Sequence, residues 1–240
     1  MSQSGTLVRI ATYNVHKCRG LDYRTRVDRV AEVLRATGAQ VVAVQEVLGQ
    51  GRQDAGQAEE LGARLGMGWV MASARHHRGR LYGNVVMSDL PIVGHAQYDL
   101  SWHTREPRCC LRADIQVGRT VMHVYNVHLG TALAERQYQA GRLATFVHDR
   151  RTRGPKLVLG DFNEWRRGLV TKVLSSTLDS IDLSRHMRRS RTYPGVLPVL
   201  HLDHIYYEGE MTIEHVHVAR GRLALIASDH VPLVADVRLG

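Results

Sequence analysis

The sequence predicts an α/β protein whose strands pair into mixed sheets stacked as a sandwich. Three observations carry this. Helical periodicity separates strands towards both ends of the chain, which permits parallel pairing there. In the middle, strand follows strand with only tight turns between them, which imposes antiparallel pairing. Val41 to Val44 is short and wholly apolar, the pattern of a strand buried on both faces.

The elements follow in order. Leu7 to Tyr13 is an apolar run with β-branched members, and its polar exit is Asn14-Val15-His16. After a turn-like stretch from Arg19 to Tyr23, Val27, Val30, Ala31 and Leu34 recur at helical spacing, and Thr37-Gly38 supplies the stop. The strand Val41 to Val44 runs into Gln45-Glu46, and Ala58 to Leu65 reads as a second helix. Strands are expected near Trp69 to Ala72, Asn84 to Ser88, Ile92 to Asp99, Cys110 to Val117 and Val121 to His128, the last two joined through Val117-Gly118-Arg119. Leu133 to Val147 has helical spacing, and Lys156 to Leu159 is a strand that exits through Gly160-Asp161-Phe162-Asn163. Two final strands are expected at Leu202 to Tyr207 and Val231 to Val237.

Composition narrows the function classes. The 240 residues suit one domain spanning residues 1–240 with one large core. Neither a basic-apolar leader nor a run of membrane-spanning length is present, so a cytoplasmic protein is the expectation. Three cysteines, Cys18, Cys109 and Cys110, offer neither a disulfide framework nor zinc-ligand spacing, and they read as structural thiols. The net charge of +9 favours anionic partners. Its basic residues are nearly all arginine, with lysine only at 17, 156 and 172, a pattern that nucleotide bias can also produce, so the charge supports a phosphate substrate only weakly.

The chemistry gathers at strand ends. Asn14, Glu46, His128, Asp161 with Asn163, Asp203, and Asp229 with His230 all lie where a strand gives way to a loop. Singly, such residues are ordinary turn formers or caps. Repeated at six ends, they describe one convergent site. Oxygen ligands from Asn14, Glu46 and Asp229 suit Mg²⁺ or Mn²⁺, hard cations that favour carboxylates and keep waters for a phosphate to displace. Fourteen histidines raise the question of zinc, but no HExxH or comparable spacing occurs.

Thr12-Tyr13-Asn14, Gln45-Glu46, Gly83-Asn84, His128-Leu129, Gly160-Asp161-Phe162-Asn163, Leu202-Asp203 and Ser228-Asp229-His230 together resemble the ordered motif series of the endonuclease/exonuclease/phosphatase superfamily, in its small bacterial members. The resemblance spans nearly the whole chain. It implies a four-layer α/β sandwich, two mixed β-sheets packed face to face and flanked by helices, similar to deoxyribonuclease I. It also implies roles. Glu46 would be the principal metal carboxylate, with Asn14 and Asp229 in or near the metal's coordination sphere. Asp161 would orient and activate the attacking water, Asn163 would donate to phosphoryl oxygens, and His128 would stabilise charge developing there. His230 with Asp203 resembles an acid/base dyad whose carboxylate fixes the imidazole tautomer, and Asn84 and Arg108 are weaker matches for substrate contacts.

The chain departs from many nucleases of that superfamily in carrying His16 where they have an aspartate. An imidazole there could support the ligands by hydrogen bonding, tilt the site towards Mn²⁺, contact phosphate, or simply satisfy a loop carbonyl. Arg136 and Gln139 could brace the loop after His128. Trp165 could cover substrate or a sheet edge, and the arginines at 150, 151 and 153 and at 185, 188, 189 and 191 could track a phosphate backbone or form a solvated face. The expected activity is metal-assisted hydrolysis of a phosphodiester or phosphomonoester, on a lipid headgroup, a small metabolite or nucleic acid. The alternatives are a DNA or RNA nuclease and a non-catalytic binding protein of the same fold.

Overall fold

The structure is a computed structural model that describes residues 5–51, 54–164, 168–176, 178–180, 191–194, 197 and 199–240. Trp165 and the arginines at 185, 188 and 189 lie outside the described residues.

Two six-stranded sheets face each other. The first has the order β11-β12-β1-β2-β4-β3, built from β1 (Thr6–Asn14), β2 (Val41–Leu48), β3 (Gly68–His77), β4 (Arg80–Ser88), β11 (Met211–Val218) and β12 (Leu233–Leu239). The second has the order β5-β6-β7-β8-β10-β9, built from β5 (Ile92–Asp99), β6 (Cys109–Val117), β7 (Thr120–His128), β8 (Lys156–Asp161), β9 (Asp179–Ser180) and β10 (Asp203–Glu208). Each sheet holds one parallel pair, β1 with β2 and β7 with β8. A helix connects the members of each pair: α1 (Val27–Thr37) in the first and α3 (Leu133–Val147) in the second. Among the described residues the remaining α-helices are α2 (Gly56–Leu65), α4 (Leu169–Ser175) and α5 (Ala224–Ala227). Among the described residues no helix is long and apolar enough to cross a membrane.

Alternation along the strands sorts the side chains into three apolar layers. Val8, Ile10, Val41, Ala43 and Val237 meet Leu111, Ala113, Ile115, Val124 and Leu159 between the sheets. Ala11, Tyr13, Val42 and Val44 turn outward to Val30, Leu34 and Leu61 of α1 and α2. Tyr125, Val127 and Val158 pack on Ala140, Leu143 and Val147 of α3, with Val170 and Leu174 of α4 beside them. The result is the four-layer α/β sandwich that the motif series implies.

Most expected elements are present, with differences at their ends, and α4, α5, β9 and β11 come in addition to them. β2 continues four residues beyond Val44 through a bulge, and β3 and β4 are longer than their apolar centres suggest. β11 was not expected: its Met-Thr-Ile-Glu-His-Val-His-Val sequence is rich in polar groups because it is an edge strand, exposed along much of its length.

One feature of the inter-sheet layer breaks its apolar character. Gln45 of β2 donates from Nε2 to Asn126 Oδ1 of β7 at 2.7 Å and to Thr12 Oγ1 at 3.1 Å. Asn126 Nδ2 in turn donates to the carbonyls of Val44 and Val85, at 3.0 and 2.8 Å. Asn84 of β4 completes the clamp, donating to the carbonyls of Cys109 and Asn126. All three side chains are buried, so each lost bond leaves an unpaired group in a poor solvent for it. Asn126→Leu keeps the branching of the side chain but removes the shortest bond of Gln45 Nε2 and deprives the Val44 and Val85 carbonyls of their Asn126 donor. It is expected to lower unfolding free energy by about 3 kcal/mol, read from urea denaturation; a loss under roughly 0.5 kcal/mol would show that the clamp carries no stability.

Candidate active site

The parallel pairs deliver their chemistry at their carboxyl ends. In the first sheet Asn14 lies in register with Gln45, one residue before Glu46; in the second, His128 lies opposite Asp161. Antiparallel β10 then sets Asp203 across from Asp161 on its other side. Gly160 permits this close assembly: its φ is +144°, and a Cβ there would stand 1.9 Å from the Val127 carbonyl oxygen. The bulge in β2 between Val44 and Val47 keeps Gln45 pointing into the clamp while Glu46, at φ +59°, lines the cleft.

Strain marks the same place. His16, Lys17 and Cys18 form a tight turn with φ of 45°, 59° and 54°, and Asn163 stands at 50°. Side chains held in the left-handed region cost roughly 1–3 kcal/mol each and persist where the surrounding structure enforces them.

Asp161 is the hub. Its Oδ1 accepts the Asn163 backbone N–H at 2.9 Å, and its Oδ2 accepts Asn14 Nδ2 at 3.0 Å. The Nε2 atoms of His128 and His230 approach the same Oδ2 to 3.6 and 3.5 Å. Asn14 also donates to Glu46 Oε1 at 3.3 Å, so one amide ties together carboxylates from the two sheets, while its own oxygen accepts the His16 N–H.

The two imidazoles are held in opposite states. Arg108 Nη1 lies 3.0 Å from His128 Nδ1. A guanidinium can only donate, so Nδ1 carries the lone pair and the ring is neutral with its proton on Nε2. Burial and the Arg108 charge together push its pKa down to about 4. His230 Nδ1 donates to Asp203 Oδ2 at 2.9 Å. Burial opposes charge on this ring too, but Asp203 and Asp161 outweigh it and push its pKa up to about 10. The ring is therefore an imidazolium at neutral pH, with Nε2–H towards Asp161. Tyr193 packs against it, ring centroids 5.0 Å apart.

Glu46 and Asp229 line the same cleft of about 560 Å³. Burial opposes ionisation of Glu46, but His128 once protonated at low pH, the Lys17 charge and the hydrogen bonds from Lys17 and Asn14 prevail and hold its pKa well below the usual range. Asp229 is half-exposed, with His16 Nδ1 3.8 Å from its Oδ1. Among the described residues no three His, Cys, Asp or Glu side chains gather closely enough to cage an ion. Oxygen donors this sparse fit a cation that takes one or two carboxylates and keeps its waters, as Mg²⁺ does, and do not fit a tetrahedral zinc cage.

Asn14, His16, Glu46, Arg108, His128, Asp161, Asn163, Asp229 and His230 all line the cleft, with Asp203 buried directly behind His230. Asn84 does not join them. It was expected to touch substrate, but its amide is spent between the sheets on two carbonyls, and its adjacent glycine is required because a Cβ at Gly83 would meet the Ala72 carbonyl oxygen at 2.0 Å. Asn163 commits one amide hydrogen to the Leu129 carbonyl at 2.8 Å, leaving the other for a ligand. Arg136 and Gln139 brace the loop after His128 as expected, bonding Gly130 and Thr131.

Sequence reasoning missed Lys17, Arg75, Tyr82, Glu106 and Tyr193 as cleft residues. Arg75, Glu106 and Arg108 form a chain, with Glu106 2.7 Å from Arg75 and 3.1 Å from Arg108, that holds the Arg108 fork on His128. Nothing in the local pattern marks Arg75 among so many arginines. Lys17 did carry a signal, being one of three lysines in an arginine-rich chain.

Comparison with known proteins agrees with this architecture. A profile of the endonuclease/exonuclease/phosphatase family matches residues 11–230. YbhP of Escherichia coli is 30% identical over 244 residues, covering 96% of each chain. The endonuclease/exonuclease/phosphatase of Bacteroides vulgatus superposes with a TM-score of 0.82 at 17% identity, covering 98% of this chain and 100% of that one. A mannosyl-6-phosphatase of Bacteroides thetaiotaomicron superposes with a TM-score of 0.78 at 16% identity, covering 96% and 99%. At these identities the two structures establish the shared fold.

The neutral state of His128 is directly measurable. By ¹⁵N imidazole NMR the ring is expected to stay neutral down to about pH 5 and, in Arg108→Leu, to titrate nearer the ordinary histidine range. A wild-type ring that protonates around pH 6.5, or an Arg108→Leu ring that titrates unchanged, contradicts the tautomer assigned above.

Proposed function

The chain belongs to the endonuclease/exonuclease/phosphatase family, whose members hydrolyse phosphoesters, and on that premise we propose that it is a metal-dependent phosphodiesterase or phosphatase. The observation that carries the proposal is the pair of imidazoles on one buried carboxylate, each about 3.5 Å from Asp161, with His128 backed by the Arg108 guanidinium and His230 by the Asp203 carboxylate. Environments that push two like groups apart in pKa separate their chemical roles.

In this reading Asp161 accepts a proton from the attacking water and aligns it for in-line displacement. His128, through Nε2–H, and the free amide hydrogen of Asn163 donate to the phosphoryl oxygens as charge builds there. His230 is charged at rest, which suits it to contact phosphate or to protonate a leaving oxygen rather than to act as the initial base. Asp203 keeps that ring oriented and protonated. Glu46 and Asp229, with Asn14 in support, would hold the Mg²⁺ or Mn²⁺ whose positive charge polarises the phosphoryl group. His16, close to Asp229, fits either support of that carboxylate or a phosphate contact. Arg108 acts mainly by fixing His128.

A lipid headgroup or small phosphate ester is preferred as substrate. One solved structure of this fold is a mannosyl-6-phosphatase, and among the described residues the lysine and arginines of the cleft, Lys17, Arg75 and Arg108, are each already paired with a glutamate rather than open to a polymer backbone. The alternative, a nuclease acting on DNA or RNA, draws on the +9 charge. A non-catalytic binder would be expected to have lost a ligand or an acid/base group, and none is missing here. The proposal takes residues 1–240 as one domain acting in the cytoplasm.

A panel of nucleic acids, phospholipids and small phosphate esters, assayed with Mg²⁺ and Mn²⁺, tests the proposal; turnover of none of them removes it, and a preference for DNA or RNA establishes the nuclease. On the best substrate His230→Ala is expected to cut turnover by roughly 10²- to 10⁴-fold, and Asp203→Asn to cut it as well. The double variant should lose less than the product of the two. Independent, multiplying losses would dissolve the dyad.

A further inference from the structure

Lys17 has a place in the cleft that the roles above leave unused. Its ammonium lies 2.8 Å from Glu46 Oε2, with 27% and 17% of the two side chains exposed, so the pair is shielded on most sides. The Tyr82 ring lies 5.9 Å from the ammonium, an aromatic face that attracts a cation. The residue sits at the centre of the left-handed turn His16–Cys18, which neighbouring segments clamp. Gln57 of α2 donates to the Lys17 carbonyl at 2.6 Å and accepts the Leu48 N–H at 3.1 Å, and the Arg26 N–H reaches the Cys18 carbonyl at 2.8 Å. Three consecutive non-glycine residues in this conformation, fixed from outside, place one side chain at the expense of backbone comfort. The identity of that side chain matters as well. Of 32 basic residues only three are lysine, and a compact ammonium on a flexible stem changes partners more readily than a planar guanidinium fork.

We propose that Lys17 is a resident counter-cation: it occupies Glu46 until a divalent cation takes that carboxylate, and then turns to a phosphoryl oxygen of the substrate. The proposal rests on the metal-dependent reading of the cleft and adds a competition to it. An ammonium on Oε2 neutralises a buried carboxylate that would otherwise repel Asp161. It also opposes any other cation seeking the same oxygen. Once displaced, it is a charged donor without a partner inside a phosphate site, and it gains one when substrate arrives.

Isothermal titration of substrate-free protein with Mg²⁺ separates this role from a structural one. Lys17→Gln is expected to bind Mg²⁺ roughly three- to tenfold more tightly than wild type, and to raise KM for the best substrate about tenfold with a smaller change in kcat. Unchanged or weaker Mg²⁺ binding in Lys17→Gln overturns the proposal. A second measurement uses the unmutated chain and stands even if Lys17→Gln fails to fold. Reductive ¹³C-methylation labels three lysines, with the Lys17 signal identified by its loss in Lys17→Arg. Mg²⁺ should move that signal while those of Lys156 and Lys172 stay in place, and inorganic phosphate should then move it again. A Lys17 signal indifferent to Mg²⁺ overturns the proposal alone, whereas wild-type protein that binds no Mg²⁺ at all overturns the metal-dependent reading beneath it.

Discussion

The polar clamp of Gln45, Asn126 and Asn84 is the contact on which the site depends, because it fixes where the ends of two separate sheets meet. Apolar packing between sheets is non-directional and tolerates sliding. Hydrogen bonds between buried amides do not, since a shift that breaks one strands its partner without water. Asn126 takes up the Val44 carbonyl, immediately before the bulge that leads to Glu46, and Gln45 inside that bulge reaches back to Asn126. The clamp and the bulge therefore stabilise each other. With the sheets locked, Asn14 at the end of β1 can cross to Asp161 at the end of β8 and still reach Glu46 on its own sheet.

That crossing concentrates charge. Glu46, Asp161, Asp203 and Asp229 stand at neighbouring strand ends, and four carboxylates so close together would repel one another without donors between them. The chain supplies donors of graded kind: the neutral amide of Asn14, the neutral imidazole of His128, the imidazolium of His230 and the ammonium of Lys17. Each partner sets a state. Arg108, held by Glu106 and through it Arg75, keeps His128 neutral; Asp203, fully buried, keeps His230 charged. Asp229 is left half-exposed, with the Ser228 hydroxyl donating to its Oδ1 at 3.2 Å and His16 3.8 Å away. It is the carboxylate most open to something entering from solvent.

Much of this was legible in the sequence because strand ends announce themselves. An apolar run broken by Asn14, Glu46, His128 or Asp161 is a local pattern, and the order of the motifs carried the fold as well as the site. What was not legible depends on geometry that no local pattern encodes. Gly83-Asn84 matched a motif, yet the clamp uses that asparagine between the sheets, and only the pairing of β4 with β2 puts it there. Asn126 lies in the buried half of β7, between Tyr125 and Val127, and looks like a flaw until the opposite sheet is in place. Arg75 comes from the far edge of the first sheet, in a bulged part of β3 whose register sequence does not reveal. Lys17 owes its position to a turn of non-glycine residues with positive φ, a conformation that residue type argues against.

On the proposed function the cleft binds a divalent cation through Glu46 and uses it on a phosphoester. Titration calorimetry of Mg²⁺ or Mn²⁺ into wild type and Glu46→Gln, with folding of both checked by circular dichroism, addresses it most directly. A neutral amide in place of the carboxylate should weaken cation binding by at least roughly tenfold without unfolding the protein. Equal affinity in the two proteins would contradict the account, because the cation would then be held elsewhere and the strand end that delivers Glu46 would have some other purpose.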